Sequence, residues 1–347
     1  MANLAARYVA LIVESTFGTT PGGSPTYIYG EVDEESMKPS FELMDREDIT
    51  RYGKRKSVVG TKVSGGEISC ALQGDEFCGR LIANAFGANS KTGSGPYVNA
   101  LTETTDEANF KSFTVCVGRD QREHRYLGQS IDSISIGANV NEYVMLSATF
   151  TGAEEDSSGT SGPGSIGFAL DAPANSDLHV NDAFHFAKAY VNFESKKSGS
   201  NYSEFIKSVE LEILLNRDVD NSYGLAQTTC TRAPPPQQRE IKGTIEFNRQ
   251  IQKNLVADNE PFWNELLAGL LVDGSSAAPA ISLRFESDTA GEHLELNIFK
   301  VQYEAPESTV SARDTQTMSI SFYALYDETE NAMANASWST NDSTNIL

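Results

Sequence analysis

Apolar and polar residues alternate along most of this chain with a period of two. The pattern is clean in Glu67-Ile68-Ser69-Cys70-Ala71-Leu72, in Phe113-Thr114-Val115-Cys116-Val117 and in Ile131-Asp132-Ser133-Ile134-Ser135-Ile136. It returns in Thr244-Ile245-Glu246-Phe247, Ile281-Ser282-Leu283-Arg284-Phe285 and Met318-Ser319-Ile320-Ser321-Phe322, which read as the respective counterparts of those three. Successive side chains of a strand point to opposite faces, so the alternation predicts strands with one buried and one solvated side, as in antiparallel sandwiches and barrels. Apolar-rich strands also open each half, at Tyr8-Val9-Ala10-Leu11-Ile12-Val13 and at Ala189-Tyr190-Val191-Asn192-Phe193. Helical spacing of apolar residues occurs in two segments, Asp75 to Phe86 and Glu260 to Leu271. The expectation is a mainly β protein in which each half carries one flanking α-helix.

The order of these elements occurs twice. Arg46, Tyr52 and Gly53 fall on Arg217, Tyr223 and Gly224 at an offset of 171, and Gly66-Glu67-Ile68 falls on Gly243-Thr244-Ile245 at an offset of 177. In the helices, Phe77, Leu81, Ile82 and Ala83 meet Phe262, Leu266, Leu267 and Ala268 at an offset of 185, and Asp120 later meets Asp288. Loops tolerate length changes and elements do not, so a drifting offset with a constant order marks a duplicated domain. The division follows: a first β domain over 1–153, a linker over 154–183, a second β domain over 184–330 and a polar tail over 331–347. The linker contains Ser157-Ser158-Gly159-Thr160-Ser161-Gly162-Pro163-Gly164, which buries too little surface to offset its ordering entropy. The tail is assigned on its asparagines, Asn331, Asn335, Asn341 and Asn345, as a solvated stretch.

Composition narrows the function. The 347 residues suffice for two cores, and the 39% of hydrophobic residues are interrupted too often to form a run of the roughly 20 that a membrane span needs. The first residues lack a signal-peptide core, so a soluble cytosolic product is expected. Cys70, Cys78, Cys116 and Cys230 occupy different places in the two copies and include no C-x-x-C pair, which points to buried thiols rather than a disulfide framework or zinc site. With 48 acidic against 27 basic side chains, the net charge of -21 repels phosphate backbones and argues against specific nucleic-acid binding.

Catalytic motifs are absent. There is no phosphate-cradling glycine loop, no G-x-S-x-G and no H-E-x-x-H. His124, His179, His185 and His293 are scattered, and carboxylate pairs such as Glu34 with Glu35 arise by composition in so acidic a chain. No catalytic residue, metal ligand or cofactor is assigned. The exception to the acidic background is the Tyr-Gly loop, where Arg51, Tyr52, Lys54, Arg55 and Lys56 are followed by Lys62. A patch of one sign on a body of the other orients association between copies, so this loop is a candidate self-docking surface. The matching loop, Tyr223 to Arg239, keeps Tyr223 but has only Arg232 and Arg239 as cations, together with Pro234-Pro235-Pro236.

The ordered set Glu14-Ser15-Thr16-Phe17-Gly18-Thr19-Thr20-Pro21, Glu35-Ser36-Met37-Lys38-Pro39, Arg55-Lys56-Ser57-Val58-Val59-Gly60, Gly65-Gly66-Glu67-Ile68, Leu81-Ile82-Ala83-Asn84-Ala85-Phe86-Gly87, Phe113 to Asp120 and Phe150-Thr151-Gly152 resembles the major tail tube proteins of tailed bacteriophages. The resemblance covers most of the first 300 residues, and in the second copy it is confined to the helix and the Tyr-Gly loop. It implies β-sandwich or barrel domains whose long hairpins join into a sheet lining a hollow tube, in the virion tail of a protein made in the host cytoplasm. The tube is built of stacked rings, and the genome is ejected through it. Such rings carry six barrels, which three copies of a duplicated chain supply; a hexamer of chains stays open. The partners implied are the chain itself, the tape measure, terminator and baseplate proteins, and double-stranded DNA that passes without specific binding. In that setting the Tyr-Gly loops become inter-ring contacts, and Glu67, Asp132, Glu210, Glu212 and Glu246 become candidates for an acidic lumen lining. The alternatives are another tail part, a tube terminator or baseplate hub, and a carbohydrate-binding or hydrolytic double β-sandwich. The last needs clustered exposed aromatics, whereas Trp263 lies in a predicted helix and Trp338 in the predicted tail.

Overall fold

The computed structural model of the chain describes residues 7–19, 22, 25–46, 50, 52–54, 56–120, 122–156, 173–174, 178, 182–192, 206–248, 271–273, 279–304, 307–309, 317–343 and 346. In the first half, β1 (Tyr8–Val13), β2 (Ile28–Gly30), β3 (Val32–Glu35), β4 (Lys38–Arg46) and β5 (Lys56–Ala71) precede α1 (Glu76–Phe86). After it come β6 (Gly87–Thr92), β7 (Tyr97–Glu103), β8 (Phe113–Arg119), β9 (Arg122–Asn139) and β10 (Met145–Gly152). The second half contains β11 (Ala189–Asn192), β12 (Ile206–Leu214), β13 (Glu240–Asn248), β14 (Leu271–Asp273) and β15 (Ile281–Glu286). It continues with β16 (His293–Ile298), β17 (Lys300–Tyr303), β18 (Glu307–Thr309), β19 (Thr317–Leu325) and β20 (Ala334–Thr340). The protein is therefore mainly β, and among the described residues its two sheets stay open rather than closing into a barrel.

Strand pairing repeats. In the first half the order is β1-β8-β9-β10-β5, with β3 and β4 end to end along the other edge of β5. In the second it is β11-β15-β16, then β17-β19-β13-β12, Phe299 alone separating β16 from β17. Even an irregularity recurs, since the register slips between Val32 and Glu34 on β5 and between Ile206 and Ser208 on β13. One expected match is corrected by this order. Met318 to Phe322 lies on β19, the neighbour of β13, and so corresponds to β10; Ile131 to Ile136 on β9 corresponds to β17 and β18. Alternation is the same in every half-buried strand, so only pairing distinguishes them.

The two halves do not stand apart. β12 pairs with β9 over seven residues, from Ser208 opposite Asn139 to Leu214 opposite Ser133, and so fuses both sets of strands into one large sheet. The smaller sheet, β11-β15-β16-β20-β7-β6, also draws on both halves. Its β20 corrects the assignment of 331–347 as a solvated tail. Ala334, Ala336 and Trp338 face inward at 3, 4 and 0% exposure, and Trp338 stacks on Phe184. Small residues and asparagines kept that strand's apolar signal low, although its period is two.

α1 starts where Asp75 accepts a hydrogen bond from the Cys78 amide and stops at Gly87, whose φ of 91° is left-handed. A Cβ there would meet Thr104 and Phe110. Of the expected second helix, Glu260 to Leu271, residues 260–270 lie outside the described residues, Trp263 among them, and Leu271 opens β14. None of the four cysteines forms a disulfide, and all four are buried. Of the expected linker, 157–172 is outside the description, while Glu154 and Asp156 remain hydrogen-bonded to Leu127 and Arg125.

Candidate functional site

Three features of the large sheet bear on function: its polar face, a projecting hairpin and the seam between the halves. The polar face follows from alternation. Ile68, Ile134, Ile136, Leu146, Ala148, Leu211, Ile213, Ile245 and Ile320 point into the core, so the residues between them point out. Across the strands this places Ser69, Ser147, Ser135, Glu212, Lys242 and Tyr323 in one row, with Ser208, Glu246 and Ser319 in another. Hydroxyls and carboxylates bond to neighbours on the same face: Ser147 donates to Ser69 at 3.1 Å, Lys242 pairs with Glu212 at 2.9 Å and Lys207 with Glu246 at 3.1 Å. Glu67, Glu210, Glu212 and Glu246, named from sequence, share this face. Asp132 does not belong to the same rows. It occupies a bulge between Ile131 and Ser133, and its Oδ1 accepts from the Arg217 amide at 2.8 Å.

The hairpin is formed by β4 and the first part of β5. All nine residues of β4 are exposed, because nothing else among the described residues covers them. Phe41, Leu43, Met44, Val58 and Val59 display 57, 57, 58, 45 and 41% of their surface, which is an unusual amount of apolar area for a free surface. At the tip Tyr52 is fully exposed, Lys54 pairs with Asp45, and Lys56 lies opposite Arg46. Arg51 and Arg55 fall outside the described residues. Lys62 is at the base instead, where its amide donates to the Thr228 carbonyl at 2.6 Å, its carbonyl accepts from the Tyr223 hydroxyl at 2.9 Å, and its ammonium pairs with Glu154 at 3.4 Å. Burial pushes the Tyr223 phenol upward, so it remains a donor there. Arg232 bonds within its own loop, to the Asn221 carbonyl at 3.4 Å. The contact set named from sequence is thus split between a tip that carries Tyr52, Lys54 and Lys56 and a base where Lys62 meets Tyr223.

The seam is held by two arginines whose roles the sequence did not reveal. Arg217, only 8% exposed, donates from Nε to the Ile131 carbonyl and from Nη1 to the Pro234 carbonyl, and lies 5.0 Å above the Phe110 ring. Desolvation lowers its pKa to about 10, with Asp132 resisting, so it stays charged at neutral pH. Arg239 donates to the Ala85 carbonyl at 2.9 Å, at the C-terminal end of α1, and pairs with Glu103 at 3.4 Å. The last turn of α1 has no basic residue of its own, so the second half supplies the cation that the helix dipole favours. Burial raises Glu103, opposed chiefly by Arg239. The strand register corrects the expected match of Arg217 with Arg46: Arg217 lies opposite Pro236, where the first half has Leu43 opposite Val59.

No group of three or more potential metal ligands occurs among the described residues, and no helix there is long and apolar enough to cross a membrane. No curated protein matches the chain. The family model described as phage tail tube protein matches residues 5–324. A match that spans nearly the whole chain, on a fold with a long polar-faced sheet, places this protein in the phage tail tube protein family.

Proposed function

We propose that the chain is the major tail tube subunit of a tailed phage, and that it assembles into stacked rings around a channel through which DNA leaves. The single observation that carries this is the continuous sheet built from both halves, polar on one face and apolar on the other, whose path ends in β14 and β3, each paired on one side only among the described residues. Such a sheet joins head to tail, and a heterologous contact closes a ring when its rotation divides the circle. Two repeats per chain favour three chains per ring.

The polar face lines the channel in this reading. Serine, threonine and glutamate suit it, because each Lys or Arg paired with a phosphate releases counterions and adds affinity that would accumulate from ring to ring. The hairpin tip, with Tyr52, Lys54 and Lys56, reaches the next ring, and the tube's other partners are the tape measure, terminator and baseplate proteins. Purified protein, alone or with an initiating tail complex, should form stacked rings or tubes in negative stain. Assembled tubes should retain no double-stranded DNA in a low-salt gel shift, where electrostatic affinity is largest. A chain that stays monomeric with every initiator, or caps a tube once without extending it, would overturn the proposal.

A further inference from the structure

The seam inside the chain is a template for a seam between chains. β12 is covered on one edge by β13 and on the other by β9. The repeat assigns each of these strands an equivalent. Gly66 on β5 matches Gly243 on β13, and both would clash with the neighbouring main chain if they carried a Cβ. From that anchor, Gly65 corresponds to Lys242, and their partners Lys38 and Glu212 correspond in turn. The strand equivalent to β12 is therefore β3 with the start of β4, residues 32–40. On the other side, Ser135 pairs with Ser147, which pairs with Ser69; the matching path from Glu246 runs through Ser319 to Glu307. Glu307 thus stands where Ser135 stands, and β18 is the equivalent of the β9 segment that receives β12.

Among the described residues, β18 pairs only with β19, and β3 and β4 only with β5. Glu304 also repeats the acidic character of Asp132 at the position just before the edge, its amide bonded to Ser321. We propose that β18 of one chain pairs antiparallel with residues 36–38 of the next copy, in the register that β9 and β12 use, Glu307 opposite Lys38 and Thr309 opposite Ser36. The inference rests on the reading of the chain as a tube subunit and adds its edge, partner and register. It puts residues of opposite charge opposite each other, where close cross-strand pairs stabilise.

This seam differs from its template in one respect. In β12 the odd-numbered residues face β9, as the Leu215 amide donating to Asp132 and the Lys207 carbonyl accepting from Val140 show. Their counterparts include Pro39, which has no amide proton, and Met37. The Met37 carbonyl accepts from Arg119 at 2.6 Å and Tyr126 at 3.0 Å, and its amide donates to Glu35 at 3.0 Å. The seam between chains therefore begins with fewer main-chain bonds than the one within.

The test is a disulfide. Lys38 and Glu307 occupy a non-hydrogen-bonded pair in this register, where side chains approach most closely. The full-length Lys38→Cys, Glu307→Cys variant, assembled and oxidised, should move from the monomer band to covalent oligomers ending at the closed ring, while neither single variant does; the native thiols are buried and do not compete. Tubes that form without cross-links would overturn the edge and register yet leave the tube reading intact, whereas absence of tubes from the unmodified chain overturns that reading itself. Should the double cysteine variant fail to assemble, charge exchange decides. Lys38→Glu should slow assembly and Lys38→Glu with Glu307→Lys should restore it; equal rates for the two would overturn the pairing.

Discussion

β12 and its first-half equivalent face opposite problems. β12 is an unbroken strand of nine residues whose Val209, Leu211 and Ile213 are all buried, because β9 is always there, tethered in the same chain. In the first half the same path breaks at Ser36 and Met37, contains Pro39 and continues as an exposed hairpin. An uncovered edge is a template for indiscriminate pairing, and proline, kinks and charge are the usual protections. Arg119 adds another by clamping Glu35 with two hydrogen bonds while holding the Met37 carbonyl. The comparison teaches that a guaranteed partner lets a strand become regular and apolar, whereas an edge awaiting a partner stays interrupted.

The largest expected effect is at the hairpin tip. Replacing Arg51, Lys54, Arg55 and Lys56 together by Glu should abolish ring stacking in micrographs while the folded chain keeps its circular dichroism spectrum. Wild-type stacking should weaken as salt shortens the Debye length below about 10 Å. Undiminished stacking by the quadruple variant would remove the tip from the interface.

Next comes the anchor. Arg217→Ala leaves the Ile131 and Pro234 carbonyls without their donor in a buried seam, which costs about 2–4 kcal/mol and lowers the melting temperature by roughly 3–6 °C. Arg46→Ala, at the exposed end of β4, should leave melting unchanged. Equal shifts for the two would show that the seam does not depend on its arginine.

Pro39→Ile gives the interrupted strand the residue that β12 has at Ile213. If edge protection is what Pro39 provides, light scattering should show a several-fold shorter lag before tubes grow, together with more off-pathway aggregate. A lag that is unchanged or longer would contradict this. The smallest effect is one of pH. His293 on β16 is held below its usual pKa by burial, helped by Arg284. The unfolded chain accepts that proton first, so stability should be constant above pH about 6.5 and decline as pH falls below it. His293→Gln should flatten the decline in the denaturant midpoint between pH 7.5 and 5.5, and an identical decline in the variant would assign it to other groups.

Much of this was legible from pattern. The strands around Ile68, Val115, Ile134, Ile245 and Leu283, the helix from its Asp75 cap and the polar side shared by Glu67, Glu210, Glu212 and Glu246 all follow from local periodicity, which directly reports burial. What periodicity cannot report is which strand adjoins which. That is why Met318 to Phe322 was matched to the wrong strand, and why the pairing of β9 with β12 was unforeseen. The anchors Arg217 and Arg239 were illegible for a related reason, since a buried arginine and a solvated one look alike until the neighbouring carbonyls are in place. The strand at Ala334–Thr340 was missed for want of bulk, Trp338 being its single large apolar residue.

That last strand also sets an order of events during synthesis. β20 lies between β16 and β7, its Thr340 hydroxyl donating to the Gly74 carbonyl and the amides of Met333 and Ala334 donating to Glu103. It is translated after every other described strand, so the first half emerges from the ribosome with one side of β7 still unfilled. A prematurely terminated product lacking β20 would expose the pocket of Trp338 and be recognisable as defective. The smaller sheet therefore closes only once β20 has been made and laid between β16 and β7.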